Sequence, residues 1–595
     1  MRTSVYKITI IALMAVANML VLPLRNTVIY SQSVRQLPTR IRVEDTPADI
    51  TIIGGVSRIV GSGDFNGDCV EDFLVEYRKL ISEDTGTVVF IKFGMIFGKR
   101  NQTTPVKIDT SKDEPDLSLT TSVKGILGTF SIAKLGDLND DGIDDLVLSQ
   151  QLFGEIGKPG DRVFKILFGS QRFQSGVIDL DGLQPDLKII ADRGVSATGI
   201  AGVADVDGDG VRDILLTENA YYTDFALPIL AGPFTTGQAI DLNSQQPDAI
   251  IRANNRYDRV TGAYLADVNG DAHTDMLINR SRIDSRIGLS STVLDTVFGS
   301  PDLKGGVEIS LSDGHAGAEV AVGSDPSAIA TGDVNGDGID DILVGEPTYN
   351  GEPAPPPWFS GSVTIIFGSQ SMRGTVNRTD EFILGIPPPN PFYPIYQTTL
   401  GDRLGASLAV TDVNGDGAPD ILVGAPGLTS DKKGRVTNLS RVHVILGSTE
   451  IKSGAQIDTA QSQQDITISF DSEASGFGRQ IGSGDFNGDG VSDILVASYS
   501  AVYVFFGGPL RAPEITKAKY RSGLSEVSIF GTDFTGSTRV EINGLVVDRP
   551  VSFDPDTNKL FLNGTRLELN LQDGKNQVAV IRKGSRSNTV KVKMQ

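Results

Sequence analysis

The chain has 595 residues, 39% of them hydrophobic and 21% charged, and carries a net charge of −21. That length exceeds what one hydrophobic core holds, so several domains or a repeat array are required. The acidity argues against a nucleic-acid partner, and a single cysteine, Cys69, excludes an internal disulfide framework.

Residues 1–24 open with Arg2 and Lys7, and 8–24 are apolar except for Asn18, with Ala15-Val16-Ala17 as a small-residue cleavage site. This predicts a signal peptide, or an uncleaved anchor, since 17 apolar residues sit at the lower limit for spanning a bilayer. Residues 25–47 are polar without periodicity and read as a linker.

From residue 48 a pattern recurs seven times, its starts 73, 68, 62, 66, 79 and 73 residues apart. Each copy reads Asp-x-Asn/Asp-x-Asp, then Asp at the ninth place. The positions are Asp64, Asn66, Asp68 and Asp72; Asp137, Asn139, Asp141 and Asp145; Asp205, Asp207, Asp209 and Asp213; Asp267, Asn269, Asp271 and Asp275; Asp333, Asn335, Asp337 and Asp341; Asp412, Asn414, Asp416 and Asp420; Asp485, Asn487, Asp489 and Asp493. Oxygen side chains at alternate positions converge when the backbone curls, and a hard cation with six to eight oxygen ligands fills such a cup. Three carboxylates and a carbonyl at position seven suit calcium better than magnesium, which retains its waters. An EF-hand needs an acid at position twelve; Val75, Leu148, Leu216, Ile278, Val344, Val423 and Val496 stand there and exclude it. These positions hold 22 Asp, so the acidity belongs to the loops and the rest of the chain is near neutral.

Each loop is preceded by a β-branched run (49–53, 116–120, 186–190, 248–252, 307–312, 381–384, 465–470) and a second short run leading in. A third run leaves it and a fourth ends in Phe-Gly or a relative, from Phe97-Gly98 to Phe506-Gly507. Nothing has helical period, so each unit is four antiparallel strands, A and B around the loop, then C and D. The expected fold is all-β: a seven-bladed β-propeller over 48–508 with calcium-binding loops. The last unit stops one strand short while the first begins with a spare one, so the strand at 49–53 is expected to complete the seventh blade.

On these loops, with Phe477-Gly478 before the seventh, Leu404-Gly405 before the sixth and Gly424-Ala425-Pro426 after it, the chain resembles the FG-GAP repeats of the integrin α-subunit propeller. The resemblance implies a calcium-stabilised propeller; the degenerate Gly-Ala-Pro elements of the first four units carry no integrin-type partner choice with it. Cys69 and Ala272 replace the sixth-place glycine, and a side chain at positive φ costs about 1 kcal/mol. Weaker binding is expected at these two loops, and tighter binding at the third, where Asp207 adds a carboxylate.

Two proline-rich insertions hold most of the notable aromatics: Trp358 and Phe359, and Phe392, Tyr393 and Tyr396. Strand parity puts the B–C turns and D–A crossovers on the face opposite calcium. Both insertions belong there, with the loop carrying Lys432, Lys433 and Arg435. They read either as a ligand face or as stiff loops packed on one another. Residues 513–595 form a second domain of alternating strands, a small immunoglobulin-like β-sandwich. Its run Val527-Ser528-Ile529-Phe530-Gly531-Thr532-Asp533-Phe534, with Ile542-Asn543-Gly544 and Ser587-Asn588, resembles the IPT/TIG family, which implies a spacer or interaction domain.

Only three histidines exist, His273, His315 and His443, each expected to be structural, and there is no phosphate loop or thiol dyad. The expected function is a secreted or cell-surface calcium-binding adhesion or ligand-binding module with structural calcium at up to seven sites. The alternative is a polysaccharide lyase or hydrolase built on the same scaffold. The expected partner is an extracellular protein or glycan, with no nucleic acid, and with a membrane only through an uncleaved N-terminal segment.

Overall fold

The structure, a computed structural model, describes residues 36–594 except 84–85, 121–129, 154–158, 181, 192–196, 219–224, 254–258, 285–288, 312–316, 323–327, 348–360, 377–381, 386–402, 428, 431–435, 438–439, 450, 452–455, 458, 460–461, 471–475, 556 and 584. No α-helix occurs among the described residues.

Seven radially arranged sheets make the propeller, and each has five strands. In blade 1, strands A (Val56–Gly63), B (Asp72–Glu83), C (Gly86–Ile96) and D (Leu117–Thr120) run antiparallel, as expected from the repeat. The fifth strand, Gly176–Asp179, comes from the C–D connection of the next unit and pairs parallel with strand D. The same connection serves six of the seven junctions and ties neighbouring blades through the backbone. One assignment changes: Val307–Ser310 is such a fifth strand, on blade 3, and strand D of blade 4 is Ala318–Val322. Both runs alternate, and alternation does not reveal which edge a strand joins.

The seventh blade closes the ring as anticipated. Its strands Gln480–Gly484, Asp493–Ala497 and Val502–Phe505 are completed by Ile50–Ile53, with Ile50 opposite Val504 and Ile52 opposite Val502. Asp49 Oδ2 accepts the Phe506 N–H at 2.8 Å, as Asp116 accepts from Phe97 and Asp186 from Phe168. Within the stretch read as a linker, Arg40–Arg42 pairs parallel with Ile466–Phe470 as the fifth strand of blade 6. The N-terminal chain thereby supplies both strands that the last unit lacks.

The core is a set of seven clusters, one per blade–blade interface. The closing cluster joins Val502, Val504 and Leu495 of blade 7 to Phe73, Val75 and Tyr77 of blade 1. Phe73 and Phe486 meet edge-to-face at 5.0 Å across it. Because both faces of each blade are covered, B strands such as Asp341–Glu346 are buried along their whole length.

The C-terminal domain is a nine-stranded sheet curled over a core of its own, containing Ile515, Tyr520, Val527, Ile529, Phe534, Val540 and Leu560. The anticipated two layers are continuous because the last strand, Val590–Met594, pairs parallel with Glu514–Arg521 and antiparallel with Gln577–Arg582. One end of the domain is anchored to the propeller. Gly536 N–H donates to Ser462 O (2.7 Å), Lys583 Nζ reaches Leu446 O and Asp465 Oδ2 (both 3.0 Å), and Thr39 N–H donates to Asp533 (3.2 Å).

Candidate metal centres

All seven loops share one backbone path. The sixth residue has φ between +61° and +88°, including Cys69 (+61°) and Ala272 (+68°), so the turn is not rebuilt where glycine is missing. The fourth residue is also left-handed, from Asp140 at +59° to Gly336 at +77°. Glycine holds that place in the other six loops, a requirement as legible in the sequence as the sixth.

The first aspartate organises this path. In the third loop Asp205 Oδ1 accepts from Gly208 (2.7 Å) and Asp209 (3.2 Å), and Oδ2 from Gly210 (2.8 Å). The first, fourth, fifth and sixth loops repeat all three bonds, Asp64 with Gly67, Asp68 and Cys69 among them. In every loop the fifth-place carboxylate accepts the N–H of residue seven, at 2.9–3.0 Å. Each carboxylate oxygen has further lone pairs, so these bonds orient the oxygens without exhausting them.

The ninth aspartate is buried in every loop. One oxygen accepts the N–H of the second loop residue, and the other accepts the glycine N–H that ends strand C. For Asp493 these are Phe486 at 2.9 Å and Gly507 at 2.8 Å. The glycine bond recurs at Gly98, Gly169, Gly232, Gly299, Gly368 and Gly447. This explains the physical link between the Phe-Gly element and the loop. Burial pushes these carboxyls up, to about 8 in Asp72 and Asp493, about 7 in Asp145, Asp275, Asp341 and Asp420, and about 6 in Asp213. The neighbouring loop carboxylates add to the rise, as Asp489 and Asp485 do for Asp493. Buried carboxyls beside other carboxylates form an all-oxygen donor set, the chemistry that fits a hard cation.

The loops also hold one another. Ser170 N–H donates to Phe65 O, Ser300 to Val206 O, Ser369 to Val268 O, Ser448 to Val334 O, Gly508 to Val413 O and Lys99 to Phe486 O, at 2.8–3.2 Å. Lys99 closes this circle from blade 1 to blade 7. Pro233 stands at the remaining junction and has no N–H to give.

The third loop differs. Oxygens of Asp205, Asp207 and Asp209 lie within 4.8 Å of one another, and this is the one all-acid cluster of its kind among the described residues. Lys304, from blade 4, places Nζ 3.1 Å from Oδ2 of both Asp207 and Asp209. One ammonium group bridges buried Asp207 and exposed Asp209, and these contacts raise the Lys304 pKa above its ordinary value. The extra carboxylate is thus met by an ammonium group 97 residues away in sequence, which spacing alone did not disclose.

Of the histidines, His273 packs its ring over Gly208, and Nδ1 lies 3.2 Å from Asp271 Oδ1. His443 is buried, its pKa pushed down to about 3 by desolvation, and it stays neutral. His315 lies outside the described residues, as do Trp358, Phe359, Phe392, Tyr393, Tyr396, Lys432, Lys433 and Arg435. Near two of those segments, Gly361 and Leu404 form an isolated parallel bridge between blades 5 and 6.

The FG-GAP repeat family model matches residues 326–365, 404–445 and 477–505, which carry the loops of blades 5, 6 and 7. The chain is 30% identical over 236 residues to integrin alpha pat-2 of Caenorhabditis elegans, covering 36% of this chain and 17% of that protein. It is 29% identical over 244 residues to phosphatidylinositol-glycan-specific phospholipase D of Rattus norvegicus, covering 37% and 26%. Integrin alpha-5 of Xenopus laevis is 28% identical over 231 residues, covering 36% and 19%. The matches span about a quarter or less of these relatives' lengths. FG-GAP repeats are thus matched in blades 5, 6 and 7, and the propeller is similar to those of integrin alpha chains.

Proposed function

We propose that the protein is a secreted or cell-surface calcium-binding propeller that acts as an adhesion or ligand-binding module, with calcium in a structural role. The observation that carries this reading is the ring of seven loops whose buried ninth aspartates each tie a loop to the end of strand C. In each loop the side chains at places one, three, five and nine, with the carbonyl at place seven, would hold the ion. Bound calcium would neutralise carboxylates that burial otherwise drives toward protonation. The chain's own residues do the rest: the first aspartate holds the turn, the ninth fixes the strand ends, and the inter-loop bonds transmit rigidity around the ring.

Similarity to integrin alpha chains supports an extracellular protein or glycan as partner. Residues 1–24 serve export in this reading, 48–508 form the propeller, and 513–595 an IPT/TIG-like interaction domain. The ligand face is assigned to the side opposite calcium, around Trp358, Phe359, Phe392, Tyr393, Tyr396, Lys432, Lys433 and Arg435. The test is a glycan and matrix-protein binding screen, with calcium and with chelator. Trp358→Ala combined with Tyr393→Ala is expected to abolish capture while leaving the calcium-dependent melt unchanged. Capture by the double variant, or its unfolding, would remove those loops from the site.

A further inference from the structure

Among the described residues, seven large hydrophobic side chains are exposed, and five of them lie in the C-terminal domain: Leu524 (63%), Leu545 (63%), Val546 (51%), Leu567 (90%) and Met594 (37%). Strand register puts all five at one pole. Met594 is paired with Tyr520, beside the turn that carries Leu524. Glu526 lies opposite Asn563, so the segment with Leu567 leaves from the same end. Ile542 lies opposite Val578 and Gln577 opposite Lys591, which brings the hairpin with Leu545 and Val546 there too. Gly564 N–H donates to Ser525 O (2.7 Å), and Asn543 Nδ2 to Asn570 O (2.8 Å), tying the turns together. The opposite end, at Asp533, Gly536 and Lys583, is the one fastened to the propeller.

Basic groups outnumber acidic ones at this pole, where Glu526 lies opposite Arg521. Glu568 is engaged by Arg549, and Asp573 by Arg566 at 2.9 Å. Lys519 and Lys593 are registered neighbours on adjacent parallel strands. Together with Arg521 and Lys575, they have no ion-pair partner among the described residues. The nearby Lys517 ammonium holds the Lys519 pKa below its ordinary value, a mark of local positive potential. Residues 513–595 hold thirteen Lys and Arg against nine Asp and Glu, a net of +4 in a chain of net −21.

We propose that this pole docks on an anionic lipid surface, Leu524, Leu545 and Leu567 entering the headgroup region while Lys519, Arg521 and Lys593 meet the lipid phosphates and carboxylates. Leu524, Leu545 and Leu567 stand on three separate segments at this pole, a spread that suits a soft interface better than the groove of a protein partner. Cations beside them are what a negatively charged leaflet attracts. This contact is independent of residues 1–24 and of the calcium loops.

The test is flotation of the full chain, loaded with calcium and desalted to remove the free ion so that calcium bridging plays no part, with phosphatidylcholine vesicles with and without phosphatidylserine. Binding to the serine-containing vesicles is expected, weakening as salt is raised. Leu524→Ser, Leu545→Ser and Leu567→Ser together are expected to reduce it roughly tenfold or more. Lys519→Gln, Arg521→Gln and Lys593→Gln together are expected to remove its salt dependence. The substituted side chains are exposed or half-buried, so the melting temperature should hold and exclude unfolding as the cause. Failure of the parent chain to float, or flotation of the leucine variant equal to the parent, would overturn the proposal.

Discussion

Asp493→Ala separates the two jobs assigned to the ninth loop aspartate. Asp493 is fully buried, and its oxygens accept the N–H groups of Phe486 at 2.9 Å and Gly507 at 2.8 Å. Alanine leaves both donors buried without a partner, at about 1–3 kcal/mol each. The total is roughly 2–6 kcal/mol, or a fall in Tm on the order of 4–12 °C at about 2 °C per kcal/mol for a domain of this size. A thermal melt in chelator isolates this part, because no calcium is then available to lose. Asp493→Asn keeps one acceptor and removes the buried charge. In chelator at pH 8 it is expected to melt close to the parent, and with calcium to melt well below it. An Asp493→Ala protein that melts like the parent in chelator would refute the hydrogen-bonding role and leave the residue as a metal ligand alone.

Stability without calcium should depend on pH in a defined direction. The ninth aspartates have folded-state pKa values raised to about 6–8. The native state therefore binds more protons than the unfolded chain between pH ~4 and ~8. Stability in chelator should fall as pH rises through that window, and added calcium should flatten the fall, as read by Tm. Lys304→Met leaves Asp207 and Asp209 without their ammonium partner; the variant is expected to be less stable than the parent in chelator and to gain more Tm on adding calcium. A Tm gain equal to the parent's would show that Lys304 does not compete with the ion. Cys69→Gly is expected to raise Tm by an amount equivalent to roughly 1 kcal/mol or less, since the residue sits at φ +61°. Deletion of residues 1–47 removes the fifth strand of blade 6 and buried Leu37 and should lower Tm; deletion through residue 53 also opens blade 7 and should cause association, measured by light scattering.

What the sequence disclosed and what it hid divide along a physical line. The seven loops were legible because each requires a side-chain oxygen at every second place, and the ring closure because strands could be counted. The fifth strands were not. Val177 is 70% exposed and Gly176–Asp179 spans four residues, so the segment lacks the buried alternation that marks a blade strand. Arg40–Arg42 pairs with a strand more than 400 residues away, and nothing local distinguishes it from a linker. The ninth aspartate looked like a metal ligand alone, because its bond to the glycine ending strand C spans 14 residues in blade 7 and 26 in blade 1. Lys304 reaches the third loop from another blade, a contact made by the radial packing.

Whether calcium holds the propeller together is decided by measuring bound calcium and melting temperature on the same sample. The purified chain, equilibrated with calcium and passed over a desalting column, is analysed for bound metal and melted before and after treatment with excess chelator. Several bound calcium ions, up to seven, are expected, with a large fall in Tm on chelation, and recovery with calcium but not to the same extent with magnesium. A chain that retains no calcium, or one whose melt is unchanged by chelator, would contradict a structural role for calcium.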